Sequence, residues 1–390
     1  MSRSLYNAKL LVFCAFFGLF SCNDDETPNL RTKIDYSLAT PQTPYSELFV
    51  DSDGVTTVDV SQGNLRHKMF QAINYYMSVS VSDNKQIDAA KLKNMFANTG
   101  NPFDDISTST VTVVGAELNA SSVQLKNVVA SSQSTAEAEA VRAKIESLFD
   151  EVAAASVSVH TTASKGVAGK LGTYLVDAKG IELAQVIQKS LIGALQLDYI
   201  GNVLLDEGLT ADNHKLVAGK NYTQLEHNWD EAYGLLTLNP VYLLGATDSN
   251  KGTVEFGIGS YVWEYNKSSY ASIYPAFLKG RVAIVNNDRA ELQRQATFIR
   301  TEFEKALANT AYNYLGKWKT NTSDAGRAHA IAEGIGIIYA LRFATVHNAD
   351  AAFSDAVLDD LIGSANGFWD LDATKINIAA EAIKTKFNLY

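Results

Sequence analysis

The chain has 390 residues, of which 46% are hydrophobic and 19% charged, with a formal net charge of −10. That length buries a full core, and a mean hydropathy of −0.06 with ordinary glycine and proline usage excludes collagenous, wholly disordered and polytopic membrane chains. A net negative charge argues against nucleic acid as a partner, which needs clustered Lys and Arg, and two cysteines exclude a disulfide scaffold.

Residues 1–21 read as a secretory signal. Arg3 and Lys9 precede an unbroken apolar run from Leu10 to Phe20, too short to span a bilayer but suited to a signal core. The sequence Leu19-Phe20-Ser21-Cys22 resembles the bacterial lipobox, in which the signal is cut before the cysteine and the Cys22 thiol is acylated. Cleavage there leaves 390 − 21 = 369 residues. Cys14 departs with the signal, so no cysteine remains for a disulfide, a metal or nucleophilic catalysis. Asn23-Asp24-Asp25-Glu26 resembles the acidic export signal of surface lipoproteins in Bacteroidota-type bacteria. The expected location is therefore the outer membrane, lipid-anchored and surface-exposed, with the membrane and outer-membrane uptake machinery as partners. Residues 22–48, with Pro28, Pro41 and Pro44, read as an extended tether.

Beyond the tether, helical patterning dominates and predicts an all-α chain with a short extended piece at 51–61, where Asp53-Gly54 signals a turn. Apolar residues recur at helical spacing over 63–79, 85–96 and 136–157, with a polar loop at 98–119. The glycine-rich stretch 163–172 is no P-loop, because Ser164 and Leu171 occupy key positions of that motif. Residues 180–205 predict one apolar helix with Glu182, Gln185 and Lys189 on a narrow polar stripe, bordering solvent or lining an internal pocket. Tyr261, Trp263, Tyr265, Tyr270 and Tyr274 read as a tyrosine-rich loop, whose Glu264 could fold back toward His227. Further helices are expected at 287–315, capped by Asn286 or Asn287, and at 327–343, 351–362 and 373–387.

One constellation occurs twice. His227 and Glu231 stand four apart, as do His329 and Glu333, so each pair projects from one helical face. The histidines are 329 − 227 = 102 positions apart, which suggests duplicated bundle halves at 49–206 and 207–390 within one helical domain at 49–390. An imidazole and a carboxylate one turn apart can converge on a cation. A second such helix would complete the shell, giving His227, Glu231, His329 and Glu333 as candidate ligands of a divalent metal such as iron. The same pairing also serves proton transfer or a buried polar network. Trp229, Asp230 and Tyr233, dense around His227, join His227, Glu231, Glu182 and Gln185 as candidate ligand-binding residues. Neither His-Glu-x-x-His nor Gly-x-Ser-x-Gly occurs, so no catalytic framework stands out.

Three stretches, residues 165–198, 226–234 (EHNWDEAYG) and 326–343, together resemble a family of uncharacterised Bacteroidota lipoproteins, a domain of unknown function akin to imelysin-like iron-uptake proteins. The likeness runs from about Tyr45 to the end. The imelysin motif, Gly-x-His-x-x-Glu, spaces His and Glu by three, whereas the spacing here is four. The resemblance implies a helical two-bundle surface lipoprotein and settles no reaction. The lipobox, the repeated His/Glu pairs and the missing catalytic framework lead to the expectation of a surface binding protein for an iron-related nutrient. The competing expectations are an imelysin-type metallopeptidase with Glu231 or Glu333 as general base, and an adhesive or structural surface protein.

Overall fold

A computed structural model describes residues 30–389. The signal, Cys22 and the acidic cluster behind it lie outside the described residues. In chain order the elements are α1 (Tyr45–Leu48), α2 (Ser61–Ser82), α3 (Ala89–Ala97), β1 (Ile106–Ser107), β2 (Thr112–Val113), α4 (Gly115–Ala120), α5 (Thr135–Ser156), β3 (Gly169–Leu171) and β4 (Tyr174–Val176). There follow α6 (Leu183–Leu191), α7 (Gln224–Leu236), α8 (Lys251–Val254), α9 (Ile258–Tyr265), α10 (Tyr270–Asn286), α11 (Arg289–Thr320), α12 (Asp324–Ala340), α13 (Ala351–Ile362) and α14 (Ala373–Phe387). The described chain is thus predominantly helical, with two small antiparallel hairpins, β1–β2 and β3–β4.

The helices start where the sequence supplies acceptors for their free N–H groups. Ser134 with Glu137 and Thr223 with Glu226 form capping boxes on α5 and α7. Asp350 and Asp372 cap α13 and α14. The cap of α11 is Asp288, not Asn286 or Asn287, because Asn287 takes a left-handed φ of +55° that ends α10. The 32-residue α11 is the spine: α9, α10, α12 and α14 pack along it, while α6 packs on α12 and α2 on α7.

The helix expected at 180–205 is two segments. After α6, residues Ile192–Leu204 wind as a π-helix, a wider coil often associated with functional sites. Gly193 lies so close to α12 that a Cβ would stand 2.4 Å from Ala340 Cα. The tyrosine-rich segment is helical, forming α9 and the start of α10, and Tyr261 and Tyr274 turn into the core. The loop at 98–119 contains the β1–β2 hairpin, and the glycine-rich stretch leads into the β3–β4 hairpin.

Two organisational readings change. One apolar core runs from Ala39 to Phe387, and α6 against α12 and α2 against α7 cross the division at 206/207, so the two proposed halves share their interior. The described part of the tether is docked. Arg31 forms an ion pair with Glu226, Ile34 exchanges hydrogen bonds with Asn286, and Tyr45 is 2% exposed. Its aromatic and basic side chains find buried partners, which an extended spacer lacks.

Candidate functional site

Each His/Glu turn is built from the same parts. On α7, His227 Nε2 lies 4.0 Å from Glu231 Oε2, and the ring of Tyr222 stacks on the imidazole at 4.9 Å. Glu231 Oε1 is held by Arg66 of α2 and accepts from the Tyr199 hydroxyl at 3.2 Å. On α12, His329 Nε2 lies 3.6 Å from Glu333 Oε2, and Tyr174 of β4 stacks on the imidazole at 4.3 Å. Glu333 Oε1 pairs with Lys189 at 3.1 Å and accepts from the Tyr314 hydroxyl at 3.0 Å. A stacked tyrosine, a cation and a tyrosine hydroxyl accompany both pairs.

Their surroundings differ. Around α7 everything is sealed. Trp229 is fully buried, with Nε1 donating to Phe277 O at 2.9 Å, and its ring fills the space where a Cβ on Gly280 would stand 1.9 Å away. Asp230 is fully buried, accepting from Arg281 Nε and Tyr45 Oη, both at 2.9 Å. Glu226 binds Arg281 at 2.8 Å and also Arg31. Burial would raise the Glu226 pKa, but the Arg281 and Arg31 guanidiniums outweigh it and hold the value at about 2. Tyr233 stacks on Tyr45 at 4.1 Å and donates to Asn239 O.

Trp229, Asp230 and Tyr233 therefore leave the set of expected ligand-binding residues. Their polar atoms are spent inside the fold, Asp230 on Tyr45, Asp59 and Arg281, Trp229 on α10 and Tyr233 on Asn239, and all three are buried. His227 is 8% exposed, and its Nδ1 is a buried atom without a hydrogen-bond partner.

Around α12 the wall is open. His329 Nδ1 donates to Glu182 Oε2 at 2.6 Å, and the ring borders a cleft of about 510 Å³ between α2, α6, α12 and the β3–β4 hairpin. Burial disfavours the imidazolium, but the Glu182 carboxylate, with Glu333 behind it, more than offsets this and raises the His329 pKa. Lys189, buried beneath, donates to Gln185 Oε1 at 2.8 Å and Gln188 Oε1 at 2.5 Å. Burial opposes its charge, yet Tyr261 and Glu333 keep the Lys189 pKa above its ordinary value.

A lysine only donates, so both amides are fixed with oxygen inward and nitrogen outward. Gln185 and Gln188 both line the cleft. Lys170 and Tyr174 border it from the hairpin, and Asn74 and Ser78 from α2. A second cavity of about 530 Å³ adjoins, sharing Asn74, Ser78 and Gln188 and adding Gln71, Tyr75 and Glu255.

Of the expected site residues, then, Glu182, Gln185 and His329 meet at the cleft, with Glu333 just behind. His227 and Glu231 belong to the sealed neighbourhood. Among the described residues no three His, Cys, Asp or Glu side chains converge as a metal-holding group, so the four expected ligands do not form one centre. The physical reason is that buried cations, Arg66 and Lys189, already take the carboxylates a metal would need. Glu264 does not reach His227; it lies 3.8 Å from Lys317.

Sequence reasoning missed Asn74, Ser78 and Gln188. The spacing of Asn74, Ser78 and Ser82 by four on α2 carried a detectable signal, as did the position of Gln188 beside Lys189. Lys170 and Tyr174 reach the cleft through a hairpin whose glycines disguised it.

No curated protein and no solved structure matches the chain significantly. The sequence family described as a domain of unknown function (DUF4856) matches residues 45–390, and the chain belongs to that family.

Proposed function

We propose that this protein is a lipid-anchored binding protein of the outer cell surface that holds a small polar solute in the cleft between α2, α6, α12 and the β3–β4 hairpin. The observation that carries the reading is the pair of amides, Gln185 and Gln188, fixed by Lys189 with their nitrogens toward the cleft beside a carboxylate-held imidazole. Neither amide nitrogen has a protein acceptor among the described residues. Preorganised donors that face an opening are what a polar ligand exploits, since little ordering remains to be done on binding. Each of the adjoining cavities, about 510 and 530 Å³, lies in the size range of small-molecule sites.

Anchoring rests on the Leu19-Phe20-Ser21-Cys22 sequence and the acidic residues after it. No helix among the described residues is long and apolar enough to cross a membrane. Metabolic labelling of the expressed chain with a fatty-acid analogue tests the anchor: label lost on Cys22→Ala supports it, and label retained on that variant overturns it.

Binding is tested by thermal melting with a panel of sugars, amino acids, short peptides and divalent metal ions. A polar organic solute that raises Tm, with the rise lost on Gln188→Glu, supports the cleft reading. That variant keeps an oxygen to accept from Lys189 and replaces the donor with a negatively charged acceptor. A rise with ferrous or zinc ions alone, abolished in His329→Ala, would transfer the function to nutrient-metal capture. Chelator-sensitive peptide cleavage would transfer it to a metallopeptidase.

A further inference from the structure

The two ends of the cleft ask for different chemistry. At the α12 end stand Lys170, His329 and the Gln185 and Gln188 amides. Lys170 Nζ donates to Val81 O at 2.8 Å and has no carboxylate partner among the described residues, leaving two N–H groups over. Glu182 is occupied by His329, and Glu333 by Lys189. The donors left over at this end are therefore Lys170 and the two amide nitrogens, on a chain that is otherwise acidic.

At the other end lies the adjoining cavity, with Gln71, Tyr75, Thr110 and Thr112. Gln71 is only 7% exposed, yet its Oε1 has no hydrogen-bond partner. A buried acceptor left unmet costs free energy that a hydroxyl donated from a ligand would recover. The residues where the cavities meet, Asn74, Ser78 and Gln188, can donate and accept at once or supply a fixed donor.

We infer that the solute is an acidic sugar of about two rings, its carboxylate at Lys170 and the Gln185 amide and its hydroxyls along Asn74, Ser78 and Gln188 toward Gln71. Sugar hydroxyls donate and accept like the amides and hydroxyls that line the site, and Tyr75 adds an aromatic face. A peptide would instead call for apolar pockets or a sheet edge, which are minor parts of this lining. The inference rests on the binding reading above and narrows it to one ligand class.

Calorimetry on the mature chain with uronic-acid disaccharides of galacto, gluco and manno configuration tests it, beside their neutral counterparts and an acidic dipeptide. One acidic disaccharide should bind at least tenfold more tightly than its neutral counterpart. Lys170→Met should erase that preference while circular dichroism stays unchanged. Gln188→Glu should weaken the acidic ligand more than tenfold, and Gln71→Met should weaken acidic and neutral sugars alike. Equal affinity for acidic and neutral disaccharides would overturn the anionic subsite and leave the binding reading standing. Binding of the dipeptide without any sugar, or of none of these probes, would overturn the sugar class, while another solute acting through Gln188 would still uphold the cleft.

Discussion

The turns carrying His227–Glu231 and His329–Glu333 share their spacing, a stacked tyrosine, a cation on the carboxylate and a tyrosine hydroxyl. What covers them differs. Residues 31–59 close over α7, with Tyr45 and Asp59 both hydrogen-bonded to Asp230. Over α12 only the short β3–β4 hairpin leans in, and it leaves a cleft. The repeated kit is therefore a way of holding helices together, and it borders an opening only where the neighbouring chain stands back. Local spacing decides the geometry of the pair, whereas the distant chain decides whether anything can reach it.

The contrast is sharpest at Arg281. It is fully buried between Asp230 and Glu226, so Arg281→Met leaves Asp230 without a cation and Glu226 with Arg31 alone in the sealed region. A loss of about 3–5 kcal/mol in urea unfolding is expected, because removing one partner strands a buried charge. A change below about 1 kcal/mol would show that the α7 region is not sealed.

Glu255 tests the neighbouring cavity. Burial raises its pKa to about 7, while Asn239 and the Leu243 N–H oppose the rise. A carboxyl protonated more readily in the folded state contributes stability at low pH that is lost as pH rises from 4.5 through 7. Glu255→Gln removes that loss and can keep both accepted hydrogen bonds. It should stabilise the protein at pH 8 by up to about 3 kcal/mol, from about 1.4 kcal/mol per pKa unit, and by little at pH 4.5. A pH-independent effect would refute the assignment.

A direct comparison of the two imidazoles comes next. His227→Ala opens a gap in packed surroundings and should cost about 1–3 kcal/mol, whereas His329→Ala, beside an opening, should cost less than about 1 kcal/mol in the same denaturation measurement. Equal losses would erase the distinction between sealed and open turns.

The smallest effect is the pH dependence of His329. Its raised pKa contributes stability that is fully present below the unfolded value near 6.5 and is lost as pH rises through the folded value. His329→Gln should flatten the stability profile above pH 6.5 and leave its shape elsewhere unchanged. An unaltered profile would mean that Glu182 does not hold the charged ring.

Much of the helical order was legible because apolar residues at helical spacing with polar caps mark a helix regardless of its neighbours. The stripe of Glu182, Gln185 and Lys189 was readable for the same reason. The π-helical turn at Ile192–Leu204 was not, since it follows from the approach of Gly193 to Ala340, a tertiary contact. Nor was the fate of Trp229, Asp230 and Tyr233: a polar-aromatic cluster looks alike in a binding site and in a lock. The difference lay in Arg31, Tyr45 and Arg281, which are 51 to 195 residues from the carboxylates they bind.

The docking of Arg31 has a consequence for reach. Were residues 22–48 free, the leash would extend roughly 90 Å at about 3.4 Å per residue. With Arg31 fastened to Glu226, only residues 22–30 remain between the proposed lipid and the body, roughly 30 Å at full stretch. If Cys22 carries the proposed lipid, so short a mooring would hold the body close to the bilayer, and its solute would have to arrive there first.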